Sequence, residues 1–120
     1  MRRHKFGAVR TNGYASKAEA AYAHELILRA CAGDVVDIEE QPRVSLVAGI
    51  TMVPDFTFRE FIKEPPQFWH WVWVDVKGVE TPVFRLKCKL WAVFGPGLLR
   101  IVKAKGRSFY VDREIKGGNG

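Results

Sequence analysis

Cysteine is scarce: Cys31 and Cys88 are the two in 120 residues, far apart and outside any CxxC pair. That excludes a disulfide framework and a zinc-finger spacing. It leaves buried free thiols in a reducing compartment as the expectation, since both lie in helical patterns with apolar neighbours. Histidine is equally thin, and His4, His24 and His70 have no ligand spacing among them. His24 on a helix flank and His70 within a strand are therefore expected to be hydrogen-bonded structural residues. No run approaches the roughly 18 apolar residues of a membrane-spanning helix. The basic opening Met1-Arg2-Arg3-His4-Lys5 is followed by no apolar signal core. A cytoplasmic protein without membrane association is expected. Internal repeats and low-complexity blocks are absent too. Acids are the minority charge, 13 against 19 Lys and Arg, for a net charge of +6 and a pI near 9.6. That balance favours a polyanionic partner, nucleic acid before acidic membrane.

What is present fits one globular domain with a real core: 48% apolar and 27% charged residues. Residues 1–13 form a basic arm in which Arg2, Arg3, Lys5 and Arg10 suit phosphate contact; a frayed terminus explains them as well. Residues 14–111 are expected to form the folded domain and 112–120 a flexible tail. Ser16 caps a helix that runs to about Ala32 and stops at Gly33. Glu19, Tyr22, Ala23, Leu26 and Ala30 share its inward face by the helical repeat. Glu19 thus points inward, although Ser16 and Glu19 also spell an S-x-x-E capping box that accounts for both residues without function.

Val35 to Val47 reads as extended, broken by Pro42. Ala48-Gly49 is a turn, Ile50 to Phe58 a strand containing Pro54-Asp55, and Arg59 to Gln67 a loop. Trp69-His70-Trp71-Val72-Trp73-Val74-Asp75-Val76-Lys77 then forms a strand that begins apolar and ends in an acid and a base. With period two, Trp69, Trp71, Trp73, Asp75 and Lys77 share one face and His70, Val72, Val74 and Val76 the other. Antiparallel pairing with the preceding strand would carry Asp55 towards Asp75. Thr81-Pro82 starts a second helix that ends at Gly95-Pro96-Gly97, its inner face expected to be Val83, Leu86, Leu90 and Val93. Leu98 to Val102 is a strand and Ser108 to Val111 a short last one. The fold class is α/β, in the order αβββαβ, with a central mixed sheet flanked by helices.

Buried carboxylates and an ammonium at the open end of a strand are costly unless paired or bound to something. Magnesium takes oxygen ligands, commonly one or two carboxylates plus water and phosphate. Asp55 and Asp75 supply that pair, the Val76 carbonyl a third oxygen, and Glu19 a further ligand directly or through water. Lys77 can orient or deprotonate water, or stabilise a phosphate.

In order, these residues resemble the PD-(D/E)XK nuclease motif: Pro54-Asp55, then Asp75-Val76-Lys77 about twenty residues on, with Glu19 as the additional acid of the first helix. Ser16-Lys17-Ala18-Glu19-Ala20, Gln41-Pro42, Pro54-Asp55-Phe56, Asp75-Val76-Lys77-Gly78 and Thr81-Pro82 are similar to the small phage-encoded RecB-like endonucleases. Those are in turn similar to archaeal-type Holliday junction resolvases. The resemblance covers roughly residues 14–103. It implies a restriction-endonuclease-like core and a Mg²⁺- or Mn²⁺-dependent endodeoxyribonuclease acting in DNA recombination. Its substrate would be branched DNA, a four-way junction first, and its compartment the host cytoplasm if phage-encoded. The near two-fold symmetry of a junction suits a homodimer. Catalytic residues would be Glu19, Asp55, Asp75 and Lys77. The metal would be held by Asp55, Asp75, Val76 and Glu19, with Gln41 shaping the site. Arg2, Arg3, Lys5, Arg10, Lys17, Lys87 and Lys89 would meet DNA. An endonuclease without junction preference, a nucleic-acid-binding module without turnover, and a partner-binding protein using the Trp stripe stay open beside it. That stripe is core, subunit interface or base-stacking surface.

Overall fold

The computed structural model describes residues 16–120. The basic arm, with Arg2, Arg3, Lys5 and Arg10, lies outside the described residues. Helix α1 spans Lys17–Cys31. It starts where the Ser16 hydroxyl accepts the Glu19 N–H at 3.0 Å, which supplies one N–H left over by the first turn. It stops at Ala32, and Gly33 follows at φ 85°, where a side chain is disfavoured. Glu19, Tyr22, Ala23 and Leu26 are buried as the helical repeat predicts, whereas Ala30 is exposed.

Seven strands follow: β1 Val35–Glu40, β2 Val44–Val47, β3 Ile50–Met52, β4 Phe56–Ile62, β5 Phe68–Val76, β6 Leu98–Lys105 and β7 Ser108–Lys116, with helix α2, Pro82–Phe94, between β5 and β6. Five of them form a mixed sheet in the order β1-β4-β5-β6-β7, and β2 and β3 pair apart from it. The β5–β6 pair is parallel and the other neighbours are antiparallel. Among the described residues the architecture is mixed α/β, a central mixed sheet with two helices.

Each sheet face carries its own core. On the α1 side, Tyr22, Leu26, Val35, Phe56, Phe58, Val72 and Val74 interlock. On the other side, Phe84, Cys88 and Trp91 of α2 pack with Met52, Leu99, Ile101 and Trp73. The side-chain alternation expected along β5 holds, with Val72 and Val74 on one face and Trp73 on the other.

Several expectations need correction. The strand expected over Ile50 to Phe58 is two: Pro54 has no N–H to donate, so pairing stops after Met52 and resumes at Phe56 in a different sheet. The loop expected from Arg59 is only Lys63–Gln67, and its Pro65–Pro66 peptide is cis. On α2 the inner face is Phe84, Cys88 and Trp91, while Val83, Leu86 and Val93 are exposed. The helix is apolar around most of its circumference, so periodicity leaves its phase open, and burying the two aromatic rings removes more apolar area from water. Cys31 is exposed, and only Cys88 is a buried thiol. The tail expected from 112 belongs largely to β7, and beyond it Gly117 N–H bonds the Gly97 carbonyl and Asn119 N–H the Gly95 carbonyl.

Gly95 closes α2 by close approach. A Cβ there would stand 2.6 Å from three atoms of the Trp91 ring. That ring is fully buried and donates its Nε1–H to the Gly97 carbonyl at 2.8 Å, so it has nowhere to retreat. Gly95→Ala is expected to destabilise the protein by about 1–3 kcal/mol through overpacking, read as a lower urea midpoint with an unchanged slope.

Candidate active site

The fork is built where β1 and β5 end and β4 begins. Antiparallel pairing of β4 and β5 sets Phe56 opposite Val74, so Asp55, one residue before β4, falls beside the last residues of β5. Parallel β6 lies against β5 through Val76 opposite Val102, and the Lys77 N–H reaches the Val102 carbonyl at 2.9 Å. This is the carboxyl end of a parallel pair, where an open α/β sheet leaves a crevice.

Asp55 is held on every polar side of its backbone. Its N–H donates to the Val74 carbonyl at 3.0 Å and its own carbonyl accepts the Gln41 N–H at 2.9 Å. Its Oδ2 accepts the Val76 N–H at 2.7 Å, which orients the carboxyl. Gln41 reaches this bond from φ 50°, a left-handed conformation unusual for glutamine, while its side chain stays exposed. Gln41 therefore shapes the site through its main chain.

Asp75 is 4% exposed and Glu19 5% exposed. Burial pushes the Asp55 carboxyl up to about 9, the nearby charges of Asp75 and Glu19 add to the rise, and the Val76 N–H opposes it. Asp75 is also raised, by burial first, with the Lys77 charge and a hydrogen bond to Asp55 opposing. Two carboxyls in contact, one buried and one half-buried, resist ionising together unless positive charge compensates them. The Lys77 ammonium stands 3.4 Å from Asp75 Oδ1 and 4.5 Å from the Phe84 ring centroid. Its position is fixed by an ion pair and an aromatic face together.

Asp55, Asp75, Val76 and Lys77 thus come together, and Glu19 lies near enough for its charge to act on Asp55. Lys17 is exposed on the first turn of α1, Lys89 is exposed on α2, and Lys87 is half-buried there. Arg85 and Lys89 line a second cleft of about 420 Å³ with Arg113. His70 is structural as expected, its Nε2 lying 3.1 Å from Glu60 Oε1, and His24 is exposed. Among the described residues, no three His, Cys, Asp or Glu side chains come together as a ready metal cage.

Sequence reasoning missed Glu80, which fastens the loop after Lys77. Its carboxylate takes both Arg113 NH groups, at 2.9 and 2.7 Å, and lies 3.2 Å from Lys103 Nζ. Those contacts hold Glu80 down to about 2, chiefly through the Arg113 hydrogen bonds. Its only local signal was an acid just before the Thr81 cap. The Trp stripe is divided. Trp73 packs edge-on to Trp91 at 5.6 Å and belongs to the core, whereas Trp69 and Trp71 are 39% and 44% exposed. No helix of the described residues is long and apolar enough to cross a membrane. Comparison with protein-family models, curated proteins and solved structures found no match to this chain.

Proposed function

We propose that this chain is a divalent-metal-dependent DNA endonuclease with a PD-(D/E)XK fold and site, cutting branched DNA and four-way junctions first. One observation carries the reading: Asp55 and Asp75 are buried in contact at a strand fork, with the Lys77 ammonium 3.4 Å from Asp75. An acid pair whose pKa values are both raised fits a cation-binding donor set, since a bound Mg²⁺ or Mn²⁺ would replace the proton that otherwise keeps the pair together. Asp55, Asp75 and Glu19 would hold it, with the Val76 carbonyl. When bound, it would acidify water and neutralise charge on the phosphate.

The chain's own groups do the rest. The Val76 N–H fixes one oxygen of Asp55, so the acid presents one orientation. Lys77, steadied by Asp75 and Phe84, is placed to hold a phosphate oxygen as negative charge builds there. A water oxygen bonds to phosphorus, the ester P–O bond breaks, and the proton lost by water ends on the departing oxygen or in solvent. Preference for junctions, and the homodimer that would make paired cuts, rest on the resemblance, while the net charge of +6 favours DNA in any form.

The test compares a labelled four-way junction with linear duplex of the same sequence, in Mg²⁺, Mn²⁺ or EDTA. Paired cuts in the junction alone, absent in EDTA and reduced about 10²–10⁴-fold by Lys77→Ala, are expected. Equal cutting of both substrates removes the junction preference. Cutting that survives EDTA or Lys77→Ala overturns the site.

A further inference from the structure

A cleft of about 600 Å³ opens on the sheet face that carries Trp71 and Trp73, and Asp55, Asp75 and Lys77 are not among the residues that line it. Its floor is Trp71, Trp73 and Thr57. The wall that carries Arg43 and Ser45 belongs to the β2–β3 side, and the end of α2 closes it with Phe94. Trp71 and Asp75 lie four residues apart on the same face of β5, so their backbones are about 13 Å apart at ~3.3 Å per residue. The two tryptophans of the floor differ in kind. Trp73 is fixed by Trp91, and a Cβ on Gly97 would come within 2.6 Å of it. Trp71 packs tilted against Trp73, with centroids 6.5 Å apart, and under the Arg59 guanidinium 5.8 Å from its own centroid, itself bound to Asp37, yet it stays 44% exposed. The remainder of that ring faces the cleft, and an aromatic ring left open within a built cavity is a platform for another flat ring.

Resting on the endonuclease reading, we propose that this cleft seats an unpaired nucleobase of the DNA substrate, stacked on Trp71, with Arg43 taking the adjoining phosphate. A base inside a duplex is covered on both faces by its neighbours; an unpaired one offers its face to an aromatic side chain. Arg43 is exposed and forms no ion pair among the described residues, so its charge is available. The Glu39 carboxylate, also lining the cleft, supplies an acceptor for a base amino group. The size favours a base over a second protein chain. The cavity has the volume of a small-ligand site, whereas a stable dimer needs about 800 Å² of surface from each partner. Branched and frayed DNA therefore enters with a base out of its stack near the cut, and uninterrupted duplex does not engage this cleft.

The test uses the full chain in EDTA, where binding is measured without cutting, and oligonucleotides carrying 2-aminopurine in single-stranded or in fully paired DNA. On binding, the wild type is expected to quench the unpaired probe. Trp71→Ala is expected to lose the quench and bind unpaired DNA about 10- to 100-fold more weakly, while duplex affinity stays unchanged. Trp71→Phe, which keeps a stacking face, should retain most of both, and matching melting curves would show that the variants are folded. Equal affinity of Trp71→Ala and wild type for unpaired DNA overturns the proposal. So does a shift from dimer to monomer in Trp71→Ala with DNA affinity intact, which would give the ring to a second copy. The two readings fail separately. Quenching by a wild type that cuts nothing in Mg²⁺ or Mn²⁺ sinks the endonuclease and leaves the stacking site, whereas cutting without any Trp71 dependence does the reverse.

Discussion

Replacing Asp75 by asparagine is expected to give a protein that cuts no DNA and is more stable than the wild type in the absence of divalent metal. The two effects have one cause. Asp55 and Asp75 are buried carboxyls that raise each other's cost of ionisation, with the Glu19 charge pressing on Asp55 as well. An amide at 75 keeps the shape, can still hydrogen-bond Asp55, and removes a charge from the cluster. The lost Asp75–Lys77 ion pair takes little away, because Lys77 is partly in solvent. A gain of about 1–3 kcal/mol at neutral pH is expected, against a loss of cleavage on the order of 10³-fold, the several kcal/mol that metal binding would supply to the reaction. The sign with pH follows. Asp55 is raised from 3.8 to about 9, so its proton stabilises the folded state fully below pH 3.8, and that contribution is lost as pH rises through about 9. Above the acid range, metal-free wild type should thus weaken as pH rises towards about 9. Asp75→Asn should weaken less, and adding Mg²⁺ should restore the wild type but not the variant. Thermal melts at several pH values, with and without the cation, check all of it. A variant less stable than wild type at pH 8 in EDTA would show that these acids do not oppose each other.

The acid pair was legible because its signals were local and rare. An aspartate after Pro54, and an acid two residues from a lysine at the end of an apolar strand, are poor strand chemistry, so the pattern asks for another explanation. The alternation along β5 carried the faces correctly, down to His70 on the side of Glu60. What escaped was decided by groups far apart in sequence. Arg59 and Glu60 read as part of the loop that carries Pro65-Pro66, yet Glu60 is satisfied by Arg29, His70 and Arg100 from three other elements. Residues 112–116 read as tail, yet Arg113 binds Glu80 and Glu114 binds Arg100 across to β6. Charge marks solvent only until a partner is found. In α2 the obstacle was the opposite: apolar residues lie on most sides, so the buried stripe was chosen by ring size and by the bond from Trp91 to Gly97. The stop at Pro54 was readable, since a proline had already been taken to break the chain at Pro42.

Glu60→Leu is expected to be the most damaging substitution away from the acid pair, and to leave the chemistry alone. The Glu60 side chain is 12% exposed, and Arg100, 13% exposed, donates to both of its oxygens at 3.0 Å. Arg29 from α1 adds a bond at 2.8 Å and His70 another contact at 3.1 Å. Burial alone would raise this carboxyl, but the hydrogen bonds from Arg100 and Arg29 outweigh it and hold Glu60 down to about 2. Removing the acid takes two hydrogen bonds from the Arg100 guanidinium and leaves it only the exposed Glu114 carboxylate, which costs towards the lower end of the roughly 3–5 kcal/mol of breaking a buried pair. Removing both charges should return much of that loss: Glu60→Leu with Arg100→Leu is expected to be more stable than Glu60→Leu alone, since Arg29, 30% exposed, can turn to solvent. A depressed carboxyl contributes stability above its ordinary value of 4.5 and loses it as pH falls towards about 2. Wild type should therefore unfold more steeply over that interval than the double variant. Because Glu60 and His70 lie on the α1 side of the sheet, away from the Trp71, Trp73 and Asp75 face, DNA cleavage per folded molecule should be unchanged at low temperature. A double variant no more stable than the single one would mean that the cost is lost packing, not the unpaired charge.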